Sequence, residues 1–544
     1  MIGRLTLYNL SVRPLALLTV LLAAGLPLAQ RSQAQSTLAQ STLVLLNGKI
    51  LTLDPKFSTA EAVAIRDGRI IAAGPSADVK KLAGGQARLI DLQGRTVIPG
   101  LIDSHMHAIR AALSFSTEVN WIGARSLSEA LDRIHQASHH MPPGAWLIVA
   151  GGWTVPQFRE NRRPTQAELV AAAPENPVYV QLGYGWAIMT PQALDKLHIA
   201  TDADLSAGGK LERDSGGQLT GGISGAQNAI IALFDRLPVP TPEQEVEGTK
   251  KFFRELNRLG LTGVVDPGGN NMTPESYQAL FQVWRRGELT VRVAYSLCGI
   301  TPGKEFEELK DLTQLLPMGF GDAMLRFNGI GERITWAMNN NDKPTEAERE
   351  KYYQIARWAA GRGLSLTMHW PRNDSAGLLL DIFERVNREV PIANLRWSIA
   401  HLNDASPENL RRMHALGMGW TVQPGRGVPP VETAAEIGVV VGAGTDAHRV
   451  ASYNPFTALE QFVDGNIARA QALRLYSMGS AWFSHDEQER GSLEPGKLAD
   501  LAVLSKDYMT VPAEQIGGIE SLLTMVGGKI VYAAGPYAQL EDKH

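Results

Sequence analysis

The chain has 544 residues, 44% of them apolar, enough to bury a large core and too many for one compact unit, so a large domain with a smaller companion is expected. Its formal charge is -4 with both signs interspersed, which leaves no basic stripe for nucleic acid and no reason for electrostatic capture by a membrane. Cys298 is the single cysteine, so there is no intrachain disulfide framework, and a metal site has to use nitrogen and oxygen ligands.

At the N-terminus, Arg4 and Arg13 accompany an apolar run at 15–28, followed by small-residue cleavage candidates at Ala29, Ala34 and Ala39. This order is that of a secretory signal peptide, placed at 1–34, and it predicts export to the periplasm or the extracellular space. The run is too short to span a bilayer comfortably, so no stable membrane insertion is expected after its removal. From 41 to 98, short strands alternate with turns such as Asn47-Gly48 and Asp67-Gly68. The stretch 490–536 has the same character, and 528–535 echoes 68–74. Two β-rich ends around a long middle predict one small composite β-sandwich closed by both termini.

In the middle, 99–489, short buried-strand runs alternate with amphipathic helical stretches, the rhythm of parallel βα units. Eight candidate strands lie at 97–102, 261–266, 290–297, 324–330, 365–369, 396–402, 419–423 and 439–446. Helices are expected between them, among them 275–286, 346–362, 377–389 and 407–416. The fold class is therefore α/β, a (β/α)8 TIM barrel with the composite sandwich beside it. The gap at about 121–236 is too long for one crossover and is rich in Pro, Gly and Trp, so it is expected to be an insertion over the substrate.

The densest chemical signal is His105-Met106-His107, directly after the first strand run. In extended chain, residues i and i+2 point the same way, so both imidazoles can meet one cation while Met106 packs into the wall. His369 ends the fifth strand run, His401 lies at the end of the sixth, and Asp446 ends the eighth. Singly, each histidine reads as a core residue and Asp446 as a turn cap. Together they gather at the carboxyl ends of barrel strands, the face on which such barrels build active sites. His135, His139, His140, His198, His414, His485 and His544 sit in helical or loop surroundings and read as solvated, and His448 is left undecided.

The segments VIPGLIDSHMH, LTGVVDPGG, SLTMHW, WSIAHL, VQP, VGAGTDAH and GSLEPGKLADLAVL, with GGWT and GQLTG in the insertion, resemble the amidohydrolase superfamily, specifically amidohydrolase family 3 (YtcJ-like). The resemblance covers nearly the whole mature chain. It implies one or two divalent metals held by His105, His107, a bridging residue after the fourth strand, His369, His401 and Asp446. Three departures stand out. No lysine occupies the bridging place in Gly329-Ile330-Gly331-Glu332, so Glu332, one position off the usual register, is the candidate bridge. Tyr184-Gly185-Trp186 replaces the Asp-Gly-His often seen in the insertion, and the acid that usually follows GQLTG is absent near Gly225. These changes bear on the substrate more than on the metal chemistry.

A divalent cation with nitrogen and carboxylate ligands and an open position lowers the pKa of bound water to about 7. Zinc is the leading candidate on ligand type, with manganese, iron and nickel compatible. By analogy, Asp446 takes the proton of the attacking water and returns it to the leaving group, and His401 helps the metal polarise the substrate oxygen. The expected function is an exported metal-dependent hydrolase that opens an amide or cyclic amide bond in a small molecule by attack of metal-activated hydroxide. Ester or lactone hydrolysis, deamination and a catalytically silent periplasmic binding protein are the alternatives. Trp153, Tyr184, Trp186, Trp336 and Trp370 are pocket candidates, and a homodimer is left open.

Overall fold

The computed structural model describes residues 42–269, 272–339 and 341–541. The signal-peptide segment 1–34 and His544 lie outside the described residues. Among the described residues, no helix is long and apolar enough to cross a membrane.

The eight predicted strand runs form two four-stranded parallel sheets. One has the order Leu325–Ile330, Arg292–Leu297, Leu261–Asp266, Leu101–Asp103, and the other Thr367–His369, Ser398–Ala400, Gly419–Val422, Val441–Ala443. Ile330 N–H donates to Ser365 O (2.9 Å) on one side and Ser104 N–H to Ala443 O (3.0 Å) on the other, so each sheet's edge meets an edge of the other. Buried on both faces, these strands read as continuous apolar runs. Helices Pro242–Arg258, Glu346–Gly361, Asn373–Glu389 and Pro407–Ala415 lay their apolar stripes against them. Thr241, Thr345 and Ser406 cap three of these helices by accepting from the backbone N–H three residues on.

The first predicted strand is two strands. Thr96–Pro99 belongs to a six-stranded sheet and Leu101–Asp103 to the parallel sheet, with the switch at Gly100. A Cβ there would lie 2.3 Å from the Thr262 side chain, so only glycine lets the chain cross at this point. The six-stranded sheet mixes strands from both ends of the chain, in the order Lys529–Ala533, Ser521–Val526, Leu501–Leu504, Thr96–Pro99, Lys49–Leu51, Thr59–Ala60. Leu45, Val63 and Ile65 of a four-stranded N-terminal sheet share one apolar core with its Ile50, Val97, Val503 and Met525. Arg292 ties the two regions together, donating from Nε (2.8 Å) and Nη2 (3.0 Å) to the buried Asp500.

The long insertion carries a five-stranded sheet of its own, in the order Gly209–Arg213, Leu219–Gly225, Trp186–Met189, Val178–Leu182, Leu147–Val149.

Candidate metal centre

The predicted ligands converge. His105 and His107 leave the strand Leu101–Asp103 with Met106 fully buried between them, as alternation requires. Their ring centroids are 5.5 Å apart, and His401 packs against His105 at 4.7 Å and against His369 at 4.3 Å.

Glu332 stands at the middle of this set. Its Oε2 lies 3.2 Å from His105 Nε2 and 3.3 Å from both His369 Nδ1 and His401 Nε2, while Oε1 lies 3.4 Å from His107 Nε2. The local backbone explains how it gets there. Tyr295 pairs with Phe327 but Leu297 pairs with Ile330, so the fourth strand carries one extra residue, a bulge that re-aims the residues after it. Gly331 N–H then donates to Leu297 O (2.8 Å) and Glu332 N–H to Pro267 O (3.0 Å), and the carboxylate turns inward.

Asp446 closes the set. Its Oδ1 is 3.3 Å from His107 Nε2 and 3.9 Å from His105 Nε2, and its Oδ2 is 3.7 Å from His401 Nδ1 and 2.9 Å from Arg426 Nη2. Both His401 (φ 73°) and Asp446 (φ 58°) hold left-handed backbone, a strain of about 1 kcal/mol or more for each that the surrounding structure must sustain.

Three overlapping groups, His105/His107/Glu332, His105/His401/Asp446 and Glu332/His369/His401, each bring their ligand atoms within 4.8 Å of one another. Four donors at about 2.0–2.1 Å around a tetrahedral cation stand about 3.3 Å apart, the spacing most of these atoms already have. Among the described residues, neither ring nitrogen of His105 nor Nδ1 of His401 has a hydrogen-bond partner, although all are buried. Buried polar atoms are ordinarily satisfied, and a shared cation satisfies these and the carboxylates together. His107 Nδ1 is 2.6 Å from Gly268 O, the outer hydrogen bond that leaves Nε2 free to ligate. The residues present therefore fit a divalent metal.

The electrostatics agree. Burial pushes the Glu332 carboxyl up, but His107, His105, His369 and His401 outweigh it and hold the group well below the usual carboxylate range. Asp446 is held low in the same way, His401 and His107 overcoming burial. Burial takes the His401 imidazole down to about 3, so it stays a neutral donor.

Sequence reasoning missed Asp103 and Arg426. Burial pushes the Asp103 carboxyl up to about 7 against the hydrogen bonds it accepts. It receives His105 N–H (2.9 Å), Thr445 N–H (3.0 Å) and Thr445 Oγ1–H (2.8 Å), joining the first and eighth strand ends that carry ligands. Its signal was an acid two residues before His105, on the same strand phase. Arg426 gave no signal beyond lying in a Gly-rich loop. His448, undecided from sequence, is buried with Nε2 3.4 Å from Glu118 Oε2. Among the pocket candidates, Trp153 and Trp186 are spent on packing with Trp121 and Phe158, and their Nε1–H groups donate to Gln181 O and Glu212 Oε2. Tyr184 lines a cavity.

Residues 88–532 match the model of the amidohydrolase family. The chain is similar to an N-substituted formamide deformylase of Arthrobacter pascens, 26% identical over 541 residues that cover 90% of this chain and 98% of the relative. It is also similar to the putative amidohydrolase YtcJ of Bacillus subtilis, 23% identical over 89% of this chain and 98% of that protein. In fold it resembles an uncharacterized metal-dependent hydrolase from Pyrococcus horikoshii, with a TM-score of 0.59 at 23% identity, over 87% of this chain and 99% of that one. With a candidate His/carboxylate metal site where the family's sequence pattern places one, the chain belongs to amidohydrolase family 3 and is an enzyme of that family.

Proposed function

We propose that this protein is an exported, divalent-metal-dependent hydrolase that opens an amide or cyclic amide bond of a small molecule at the mouth of a closed (β/α)8 barrel, flanked by a composite β-sandwich. The observation that carries the proposal is the position of Glu332, whose two oxygens reach His107 on one side and His105, His369 and His401 on the other. Were two ions bound, His105, His107 and Asp446 would hold one and His369 and His401 the other, with Glu332 within reach of both sets. Their nitrogen and oxygen donors suit zinc. The edge-to-edge hydrogen bonds of the two parallel sheets support the closed barrel. The apolar run at 15–28, preceded by Arg4 and Arg13, supports export.

Bound metal would supply Lewis acidity, making water nucleophilic near neutral pH and polarising a carbonyl. The chain's own groups do the rest. Asp446 Oδ1 faces the His105–His107 pair, placed to accept a proton from the attacking water and to hand it to the departing nitrogen. Arg426 holds Oδ2, so the carboxylate cannot rotate away from that task. His401, kept neutral by burial, stands beside both carboxylates without competing for the proton. Asp103 fixes the backbone of His105 and Thr445 and thereby the separation of His105 from Asp446.

The similarity to a formamide deformylase selects the C–N bond over an ester as the first class to test. Purified protein is to be assayed for bound metal and for turnover of N-formyl and N-acyl amines, cyclic amides and esters. The expected result is one to two equivalents of metal and turnover of an amide, lost in His105→Ala and Asp446→Ala variants that retain the fold. Full activity in either variant overturns the proposal.

A further inference from the structure

The insertion carries two histidines that the metal centre does not use. His135 and His139 stand one turn apart at the end of the helix Leu127–His139, both exposed, and their rings meet edge to face with centroids 4.4 Å apart. Residues four apart on a helix lie over one another, and here that spacing turns one nitrogen of each ring towards the other, with Nε2 of His139 3.0 Å from Nε2 of His135.

The partners of these rings assign their protons. His135 Nδ1 lies 3.2 Å from the carbonyl oxygen of Ala172, which only accepts, so Nδ1 carries the hydrogen and the neutral ring has a bare lone pair on Nε2. Ala172 ends the helix Gln166–Ala172, where the last carbonyls have no partner inside the helix, so this bond satisfies one of them and fixes the His135 ring. The arrangement is the one His107 makes with Gly268 O in the metal centre, a backbone carbonyl on one ring nitrogen leaving the other to ligate. His139 Nε2 donates its hydrogen to the His135 lone pair in one tautomer. With the hydrogen on Nδ1 instead, it sets a second lone pair beside the first.

Spacing and setting both suit a cation. Two nitrogens about 2.0–2.1 Å from one ion stand about 3.3 Å apart at a tetrahedral angle and about 2.9 Å apart at a right angle, so the observed 3.0 Å calls for shifts of a few tenths of an ångström at most. Both histidines belong to the last turn of their helix, where the backbone dipole favours positive charge. A pair of imidazoles suits zinc, nickel and copper, with copper(II) first in the Irving–Williams order and at ease with ligands at a right angle. Calcium and magnesium take oxygen ligands and do not compete for such a pair.

We propose that His135 and His139 form a second metal site, sharing no residue with the metal centre, that takes a late first-row divalent ion, copper(II) most tightly, through their two Nε2 atoms with water in the remaining positions. The site stands whether or not the protein hydrolyses an amide. Copper(II) chloride is titrated into zinc-loaded protein by calorimetry, native mass spectrometry counts both metals, and electron paramagnetic resonance reads the nitrogens on copper. The expected result is one copper taken up with zinc retained and with two imidazole nitrogens in its spectrum, and a hundredfold excess of calcium or magnesium leaves it in place. Copper should be held at least tenfold more weakly in His135→Gln and in His139→Gln, and within twofold of the unaltered protein in His140→Gln, with circular dichroism confirming the fold of each. His139→Gln leaves the bond from His135 to Ala172 intact, so its effect is on ligation and not on the helix end. Copper taken up only in exchange for zinc, a spectrum with fewer than two nitrogens, affinity unchanged in His139→Gln, or an equal loss in His140→Gln overturns the site.

Discussion

Arg426 Nη2 lies 2.9 Å from Asp446 Oδ2, on the oxygen opposite the one that faces His107 Nε2. A charge-assisted hydrogen bond of this length orients a carboxylate and favours its ionised form. Because the partner is a half-exposed loop residue, its loss perturbs packing little. Arg426→Met is expected to lower kcat about tenfold, roughly 1.4 kcal/mol of barrier, with KM changed less than threefold and bound metal unchanged. A variant with unaltered kcat would remove Arg426 from the machinery.

Glu332 makes a sharper prediction, because its two oxygens reach His107 on one side and His401 on the other. Glu332→Gln keeps the volume and removes the charge, which should cost 10-fold or more in metal affinity and reduce the stoichiometry from two ions to at most one. Native mass spectrometry after dialysis against limiting zinc reads this directly. Two tightly held ions in the variant would show that Glu332 does not bridge.

The eight parallel strands were legible because each is a buried apolar run bounded by turn residues, but their ends were not. Val441–Ala443 and Ser398–Ala400 pair over three residues each, while the apolar runs around them continue into loops that are buried for the site's sake. Gly100 carried no visible sign that one run serves two sheets, since only the proximity of Thr262 in space reveals it. The insertion's sheet was hidden for another reason: Gly209–Arg213 and Leu219–Gly225 hold too many glycines and charges to read as strands. At the site, the histidines and Asp446 could be sorted because strand ends share one face.

Cys298 tests how tightly the metal centre is backed. Burial pushes its thiol up to about 11, while Gly269 N–H donates to the sulfur (3.2 Å) and the S–H points to Pro267 O (3.3 Å). Thiolate is the reactive form, so the folded protein should resist alkylation at pH 8, with labelling by iodoacetamide at least a hundredfold slower than in denaturant. Labelling at a free-thiol rate in the native state would mean that the wall beneath Gly268 and Gly269 opens.

The insertion offers a stability test by pH. Glu168 accepts from Arg162 Nη1 (2.9 Å) and Nη2 (2.6 Å) and from the Thr165 N–H (2.8 Å) of its own capping box. These bonds, with Arg162 first, bring its carboxyl down to about 2. A carboxyl with a lowered folded pKa contributes stability that is fully present above its unfolded value of about 4.3 and fades as pH drops towards about 2, because the unfolded chain binds the proton first. The pair is partly exposed, so solvent screening limits the contribution to about 1 kcal/mol. Glu168→Gln should therefore unfold at lower temperature than the unaltered protein at pH 7, with the gap closing steadily between pH 5 and pH 2.5. A gap that stays constant across that range would assign the loss to packing rather than to charge.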